Sequence, residues 1–487
     1  MRTAHPVETV RAAERALMAT LPEGTLMARA AAGLAAVAAG LLRPRLYGAR
    51  VVLLTGSGDN GGDALYAGAR LARRGAAVTA LLLRPERAHA GGVAALRAAG
   101  GRTADVDEAE RALAGAALVV DGITGIGGHG GLREDAARLV ARVAAAGTPV
   151  LAVDLPSGVD ADTGEVRGDA VRAAVTVTFG TYKPGLLIDP GREYAGEVRL
   201  VDIGLGPHLP PEPAVEALGG AEAAALLPRP SAESDKYRRG VVGVVAGSAH
   251  YPGAAVLAVG GALRGGAGAV RYSGPAADAV IARYPETLVS GGAPSEAGRV
   301  QAWVVGPGLG QDPDAARRVD DVLESDVPIL IDADGLRGLD PERLRARPAP
   351  TLLTPHAGEA AALLGTDRGR VEAARLASVC ELAARYGVTA LLKGSTTLIA
   401  APDGGTVRVN PTGTPWLATA GSGDVLSGLT GALLAAGLSP LDAASAGAYV
   451  HGLAGSLAPE PPMASTVAEA LPDAWARLTD APGEADA

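Results

Sequence analysis

The sequence predicts an α/β protein of two domains, and three observations carry that expectation. Short apolar runs alternate with stretches of helical periodicity, and the runs end in glycine-rich or polar turns. The chain has 487 residues, more than one ordinary core accommodates. Between Gly206 and Pro230 it turns rich in proline, with Pro207, Pro210, Pro211, Pro213, Pro228 and Pro230, which is the composition of a linker. The expected organisation is a first domain over 1–206, a linker over 207–230 and a second domain over 231–487.

The net charge is −9 and no block of lysine and arginine occurs, which argues against nucleic acid as a partner. The most apolar early run, residues 30–42, is flanked by Arg29 and Arg43. It is too short to span a bilayer and reads as a buried helix, so no membrane partner is expected. Cys380 is the only cysteine, which excludes an intrachain disulfide or a cysteine-based metal cluster and makes the cytoplasm the expected location. Arginine has replaced lysine almost everywhere, leaving Lys183, Lys236 and Lys393. A planar guanidinium cannot stand in for a compact, titratable amine, so these lysines are functional candidates.

Along the chain, residues 1–48 read as helices, with Val7, Val10, Ala13 and Leu17 spaced for one face. Residues 50–55 form an apolar strand, followed by Gly56-Ser57-Gly58-Asp59-Asn60-Gly61-Gly62-Asp63 and a helical run over 64–74. Strand, glycine-rich turn and helix open a nucleotide-type α/β domain. The dehydrogenase fingerprint is a poor match, because the next strand, 77–83, ends in Arg84-Pro85-Glu86 rather than a ribose-binding acid. Strands over 117–120, 149–153 and 175–179 then deliver Asp121, Asp154 with Ser157, and Lys183 toward one sheet edge. Together with Asn60 these ends offer oxygen ligands to a hard cation; the plainer alternative is that the aspartates cap helices.

No repeat relates the second half to the first, and its motifs differ. Gly253-Ala254-Ala255 begins a helix of small residues, and a strand over 303–305 leads into Gly306-Pro307-Gly308. Strands over 328–331 and 352–353 run into Asp332-Ala333-Asp334 and Thr354-Pro355-His356, and Leu391-Leu392 runs into Lys393-Gly394-Ser395-Thr396-Thr397. Ligands of open α/β sheets bind at such strand ends. The organising stretch is Gly421-Ser422-Gly423-Asp424, followed by an apolar helical run over 425–436. Backbone N–H groups at that helix start can face an anion, and Asp424 is placed to take a proton from a phosphoryl acceptor. The alternative is that Asp424 is only a helix cap.

Taken together, these segments resemble the bacterial enzymes that repair hydrated nicotinamide cofactors, in which an NAD(P)H-hydrate epimerase is fused to an ADP-dependent NAD(P)H-hydrate dehydratase. The resemblance spans nearly the whole chain. It implies an α/β architecture with an N-terminal Rossmann-like three-layer domain followed by a C-terminal ribokinase-like α/β domain. In the first, Asp59, Asn60, Gly61, Gly62 and Asp63 match the substrate loop, and Gly125, Ile126, Gly127, Gly128, His129, Gly130, Gly131 and Asp154 match further substrate contacts. Asn60, Asp121 and Ser157 match a potassium site. Asp59 stands where asparagine is usual, Ala64 where glycine is, and Ile126 where threonine is; a carboxylate at 59 repels a diphosphate. In the second domain, Gly253, Ala254, Ala255, Gly308 and His356 match contacts to the hydrate, and Lys393, Gly394, Ser395, Thr396, Thr397 and Gly423 match the adenine nucleotide site. Asp424 matches the hydrate-binding and catalytic position.

The implied substrates are the hydrates of NADH and NADPH, with ADP as co-substrate, a potassium ion in the first domain and a magnesium ion in the second; a homo-oligomer is expected. Asp154 and Lys183 are the expected acid–base pair for exchange of the two epimers at C6. Two alternatives stay open at the level of sequence. The second domain has the motifs of a kinase for a pyrimidine or thiazole alcohol, and the first has those of a non-catalytic binding module.

Overall fold

The computed structural model describes residues 1–480. They fall into two compact units, Thr3–Ala214, and Val215 onward with Met1–Arg2.

The first unit is built on a seven-stranded sheet of β1 (Arg50–Thr55), β2 (Ala77–Leu82), β3 (Arg102–Asp105), β4 (Leu118–Gly122), β5 (Val150–Val153), β6 (Val175–Phe179) and β7 (Glu197–Val201). Its order is β3-β2-β1-β4-β5-β6-β7, with every pairing parallel. Parallel strands need both faces covered, which is why β1 and β4 are apolar without alternation. Val51 and Leu53 pack with α1 (Val7–Met18), α2 (Thr25–Leu41) and α3 (Asp59–Arg73); Val52 and Leu54 pack on the other face with α4 (Glu134–Ala146). Strand order reverses between β1 and β4, which opens a crevice at their carboxyl ends. Gly56 sits in that crevice, where a Cβ would stand 1.9 Å from the Ile123 carbonyl oxygen.

One expectation changes here. Asp59 to Asp63 do not form a loop before a helix at 64; they are the first turn of α3, with Gly58 as N-cap. Asn60 therefore comes from a helix start rather than a strand end.

The second unit has strands β8 (Val215–Ala217), β9 (Val241–Val245), β10 (Ala269–Ser273), β11 (Leu288–Ser290), β12 (Ala302–Val305), β13 (Ile329–Ile331), β14 (Thr351–Leu353), β15 (Thr389–Leu392), β16 (Thr397–Ala400) and β17 (Val407–Asn410). They run in the order β8-β17-β16-β15-β14-β13-β12-β9-β10-β11. Pairings from β11 through β15 are parallel, β16 is antiparallel to both neighbours, and β8 lies parallel to β17. α5 (Gly220–Leu226) follows β8, so part of the stretch expected as linker is woven into this unit. Arg408 of β17 fastens it, donating to Glu216 at 2.8 Å and to Asp442 at 2.6 Å.

Two helices dominate the face that carries the organising stretch, α6 (Pro252–Arg264) and α9 (Ser422–Ala435). They touch through backbone, since a Cβ on Gly428 would lie 1.9 Å from the Ala258 carbonyl oxygen. Toward the start of α9, Leu257 of α6 packs on Gly421, its Cδ1 2.4 Å from where a Cβ on that glycine would be. Among the described residues no helix is long and apolar enough to cross a membrane.

A fragment that begins at Val215 should unfold at a higher temperature than one that begins at residue 231, because the shorter piece leaves the β17 edge unpaired. Thermal melts of the two fragments check this; equal midpoints would show that β8 and α5 add nothing to the unit.

Candidate active sites

In the first unit, the side chains predicted for acid–base work do meet. Lys183 is 1% exposed, and its Nζ donates to Asp154 Oδ1 at 2.5 Å, Thr178 Oγ1 at 3.0 Å and the Phe179 carbonyl at 3.1 Å. All three contacts together hold the lysine side chain in one position. Asp154 has φ of +64°, a conformation an aspartate tolerates at some cost, and this turns its carboxylate back over β6. Thr178 Oγ1 and the Phe179 N–H also donate to Oδ1, leaving Oδ2 without a bond from the described residues.

The expected cation residues also converge. Asp121 is fully buried and accepts from Ser157 N at 2.8 Å, Ser157 Oγ at 2.7 Å and Ile123 N at 3.3 Å. Burial pushes its carboxyl up to about 6, against those hydrogen bonds. Asn60 donates to the Val153 carbonyl at 2.6 Å, and its amide stands where a side chain on Gly125 would be, 2.2 Å from the built Cβ.

Gly127, Gly128, His129, Gly130 and Gly131 line a cavity of about 400 Å³ together with Arg84, Arg87, Arg133 and Arg167. Ile126 does not join them; its apolar side chain packs into the core, where an isoleucine belongs. Two features of this site were hidden in the sequence. Asp63 is nearly buried with Oδ1 unpartnered, and its carboxyl is pushed well above its ordinary value by burial, then by Asp154, Asp59 and Glu14. Glu14 of α1 feels Lys183 and Asp154 and is itself raised, chiefly by burial. Its neighbour on the same helix face, Arg11, reaches Gly127. The only sequence signal for Glu14 was its place beside the apolar stripe of α1.

In the second unit the segment expected to hold the nucleotide reaches the first turn of α9, where Asp424 lies. Gly423 lies 3.4 Å, from its built Cβ, to Lys393 Nζ, and Gly308, in a left-handed conformation, stands against Ala254. Lys393 donates to Asp332 Oδ1 at 2.6 Å and stands 3.8 Å from Glu359. Burial opposes its charge, but Asp332 and Glu359 hold its pKa above the ordinary lysine value. The turn from Lys393 to Thr397 is shaped by Arg375, whose Nη2 donates to the carbonyls of Leu392, Lys393 and Thr396. His356 is exposed and caps α7 (Ala357–Leu364): its Nδ1 accepts from the Gly358 and Glu359 N–H groups, so Nε2 carries the proton, 3.3 Å from Glu359.

Asp424 itself is not a cap. The N-cap of α9 is Gly421, and Asp424 is three residues on, in the first turn. Its carboxyl is pushed up to about 7, first by burial, then by Asp332, with Lys393 pulling it down and Glu359 and Asp334 pushing it up. A helix N-terminus alone would lower it, so burial and three carboxylates outweigh the dipole. Asp332, Glu359 and Arg375 were not singled out as site residues from sequence; they come from distant segments, and only the sheet order brings them here.

Comparison with known proteins agrees with this layout. The family described as NAD(P)H-hydrate dehydratase matches residues 242–477, and that described as YjeF-related protein N-terminus matches residues 23–185. The bifunctional NAD(P)H-hydrate repair enzyme of Mycobacterium leprae is 50% identical over 470 residues, covering 95% of each chain. That of Corynebacterium glutamicum is 36% identical, covering 98% of this chain and 99% of its own. A crystal structure of the ADP/ATP-dependent NAD(P)H-hydrate dehydratase from Bacillus subtilis, co-crystallised with ATP and magnesium, superposes with a TM-score of 0.50 at 31% identity, covering 54% of this chain and 99% of that one.

The raised carboxyl of Asp424 has a measurable consequence for stability. A group whose pKa rises from 3.8 to about 7 on folding stabilises the native state only while protonated, so stability is lost as pH climbs through that window. Asp424→Asn stays neutral throughout. Its unfolding free energy relative to the wild type should grow between pH 4 and 7 and then level off, by at most about 4 kcal/mol. Denaturant titrations across that range would show a flat difference if Asp424 titrates normally.

Proposed function

The chain belongs to the family of bifunctional NAD(P)H-hydrate repair enzymes, and on that premise we propose how its residues divide the work. The first unit exchanges the R and S epimers of NAD(P)H hydrate. The second dehydrates the S form to NAD(P)H at the expense of ADP, releasing AMP and phosphate. The observation that carries this reading is Asp424, a carboxyl poised near neutrality beside Lys393 at the start of a glycine-bracketed helix.

The hydrate carries a hydroxyl on C6, next to the ring nitrogen, and hydroxide is a poor leaving group. Asp424 takes the hydroxyl proton as the oxygen attacks the terminal phosphoryl of ADP. Lys393 and the N–H groups from Gly421 to Gly423 balance the charge that develops there. The ring nitrogen's electron pair then expels phosphate, and loss of a proton from the adjacent carbon restores the dihydropyridine. Gly253 to Ala255, Gly308 and His356 border the hydrate; Lys393 to Thr397 border the nucleotide. Magnesium supplies charge neutralisation on the nucleotide phosphates. Among the described residues no cluster of three or more metal-ligating side chains exists, which suits an ion held mainly by phosphate and water.

In the first unit Asp154 handles the proton at C6 through its free Oδ2, with Lys183 fixing Oδ1, while the arginine-rich cavity takes the phosphates of the cofactor. A potassium ion suits Asn60, Asp121 and Ser157, because Asp121 is a buried carboxyl held by two backbone N–H groups and the Ser157 hydroxyl, with no basic partner among the described residues. No observation favours the plain kinase or the non-catalytic module over these assignments.

Asp424→Asn should lower dehydration by about 10² to 10⁴-fold, the usual loss for a general base, while ADP binding and epimer exchange persist. Single-turnover recovery of absorbing reduced cofactor from mixed epimers checks it, and near-normal turnover would remove Asp424 from the chemistry. Asp121→Ala should abolish the potassium dependence of epimer exchange. A wild type indifferent to potassium would overturn the cation assignment.

A further inference from the structure

Asp332 ends β13, and an aspartate there is ordinarily a helix cap. It does not act as one: it occupies the N-cap position of the short 3-10 turn Ala333–Leu336, yet its side chain makes no capping bond. The residue is 1% exposed, and its oxygens go elsewhere, Oδ1 to Lys393 Nζ at 2.6 Å and Oδ2 to Ser427 Oγ at 2.7 Å. Ser427 lies on α9 three residues after Asp424, on the same helical face. Gly423 stands between them, with its built Cβ 3.4 Å from Lys393 Nζ and 4.0 Å from Asp332 Oδ2.

We propose that Asp332 is a positioning residue for the dehydration step, tying the Lys393 ammonium to the Ser427 turn so that lysine and Asp424 face one phosphoryl path at a fixed separation. The inference rests on the proposed dehydratase reading. It requires no contact between Asp332 and substrate, since both its oxygens are spent. Its negative charge also acts on Asp424. The charged groups around Asp424 are Asp332, Lys393, Glu359 and Asp334, and His451 packs beneath Ser422 as a neutral ring pushed down to about 4 by burial. Of the carboxylates, Asp332 weighs most on Asp424.

The test uses the full chain. Asp332→Asn should lower kcat for dehydration by roughly 10- to 100-fold through misplacement of Lys393. It should also move the acid limb of the kcat profile down from near 7 by about one pH unit, since a like charge has been removed. Ser427→Ala keeps that charge, so its acid limb should stay in place while kcat falls about 3- to 10-fold for the lost hydrogen bond. If Asp332→Asn does not fold, Ser427→Ala decides alone. A purely structural role predicts a lower melting temperature with the acid limb unmoved and kcat per folded molecule within twofold in both variants, and that result overturns the proposal. Failure of the wild type to regenerate reduced cofactor with ADP would instead overturn the dehydratase reading itself, so the two failures are distinct.

Discussion

A parallel strand buried on both faces can carry charged side chains only where it ends, and the strands that build the site in each unit obey that constraint. In the first, β4, β5 and β6 carry no charge before their ends, β6 holding only the threonines Thr176 and Thr178, and they release Asp121, Asp154 and, past a short turn, Lys183 at their carboxyl ends. In the second, β13, β14 and β15 release Asp332, His356 and Lys393 the same way. Chemistry is thereby confined to one edge of each sheet, and helix starts complete it: the first turn of α3 in one unit, that of α9 in the other.

Two of the three lysines serve one physical purpose in two settings. Lys183 and Lys393 are each bonded to a buried aspartate at a strand end, at 2.5 and 2.6 Å. Such pairs are costly to desolvate, and their use here lies in position rather than stability. The settings differ in what is left over. Lys183 spends every hydrogen on protein, whereas Lys393 donates to Asp332 and stands beside Gly423 at the start of α9. Asp154 and Asp332 differ correspondingly, one keeping a free oxygen for a ligand and the other keeping none.

Burial does the tuning in both sites. Asp63, Asp121 and Asp424 all have raised carboxyl pKa values with desolvation as the leading cause, and the nearby charges only adjust the outcome. A carboxylate near neutrality is a useful base, because it is ionised often enough to accept a proton and basic enough to hold it. The price is a native state that loses stability as it ionises.

The sequence by itself determined the fold class and the residue types that gather at the strand ends and helix starts of both units. Apolar runs with polar ends, glycines at required turns and the survival of three lysines among arginines are local features, legible without coordinates. Asn60, Asp121, Ser157, Lys393, Gly423 and Asp424 could be named that way. What tertiary structure alone decided are the partners: Asp332 for Lys393, Glu14 and Asp63 for Asp154, Arg375 for the 393–397 turn. It also decided that Asp59 to Asp63 begin a helix, that Ile126 faces the core and that β8 belongs to the second unit. These depend on strand order and on which helix start faces which strand end. Neighbours in a crossover sheet are distant in sequence, and a residue's electrostatic setting is the sum over such neighbours, so no local pattern encodes it.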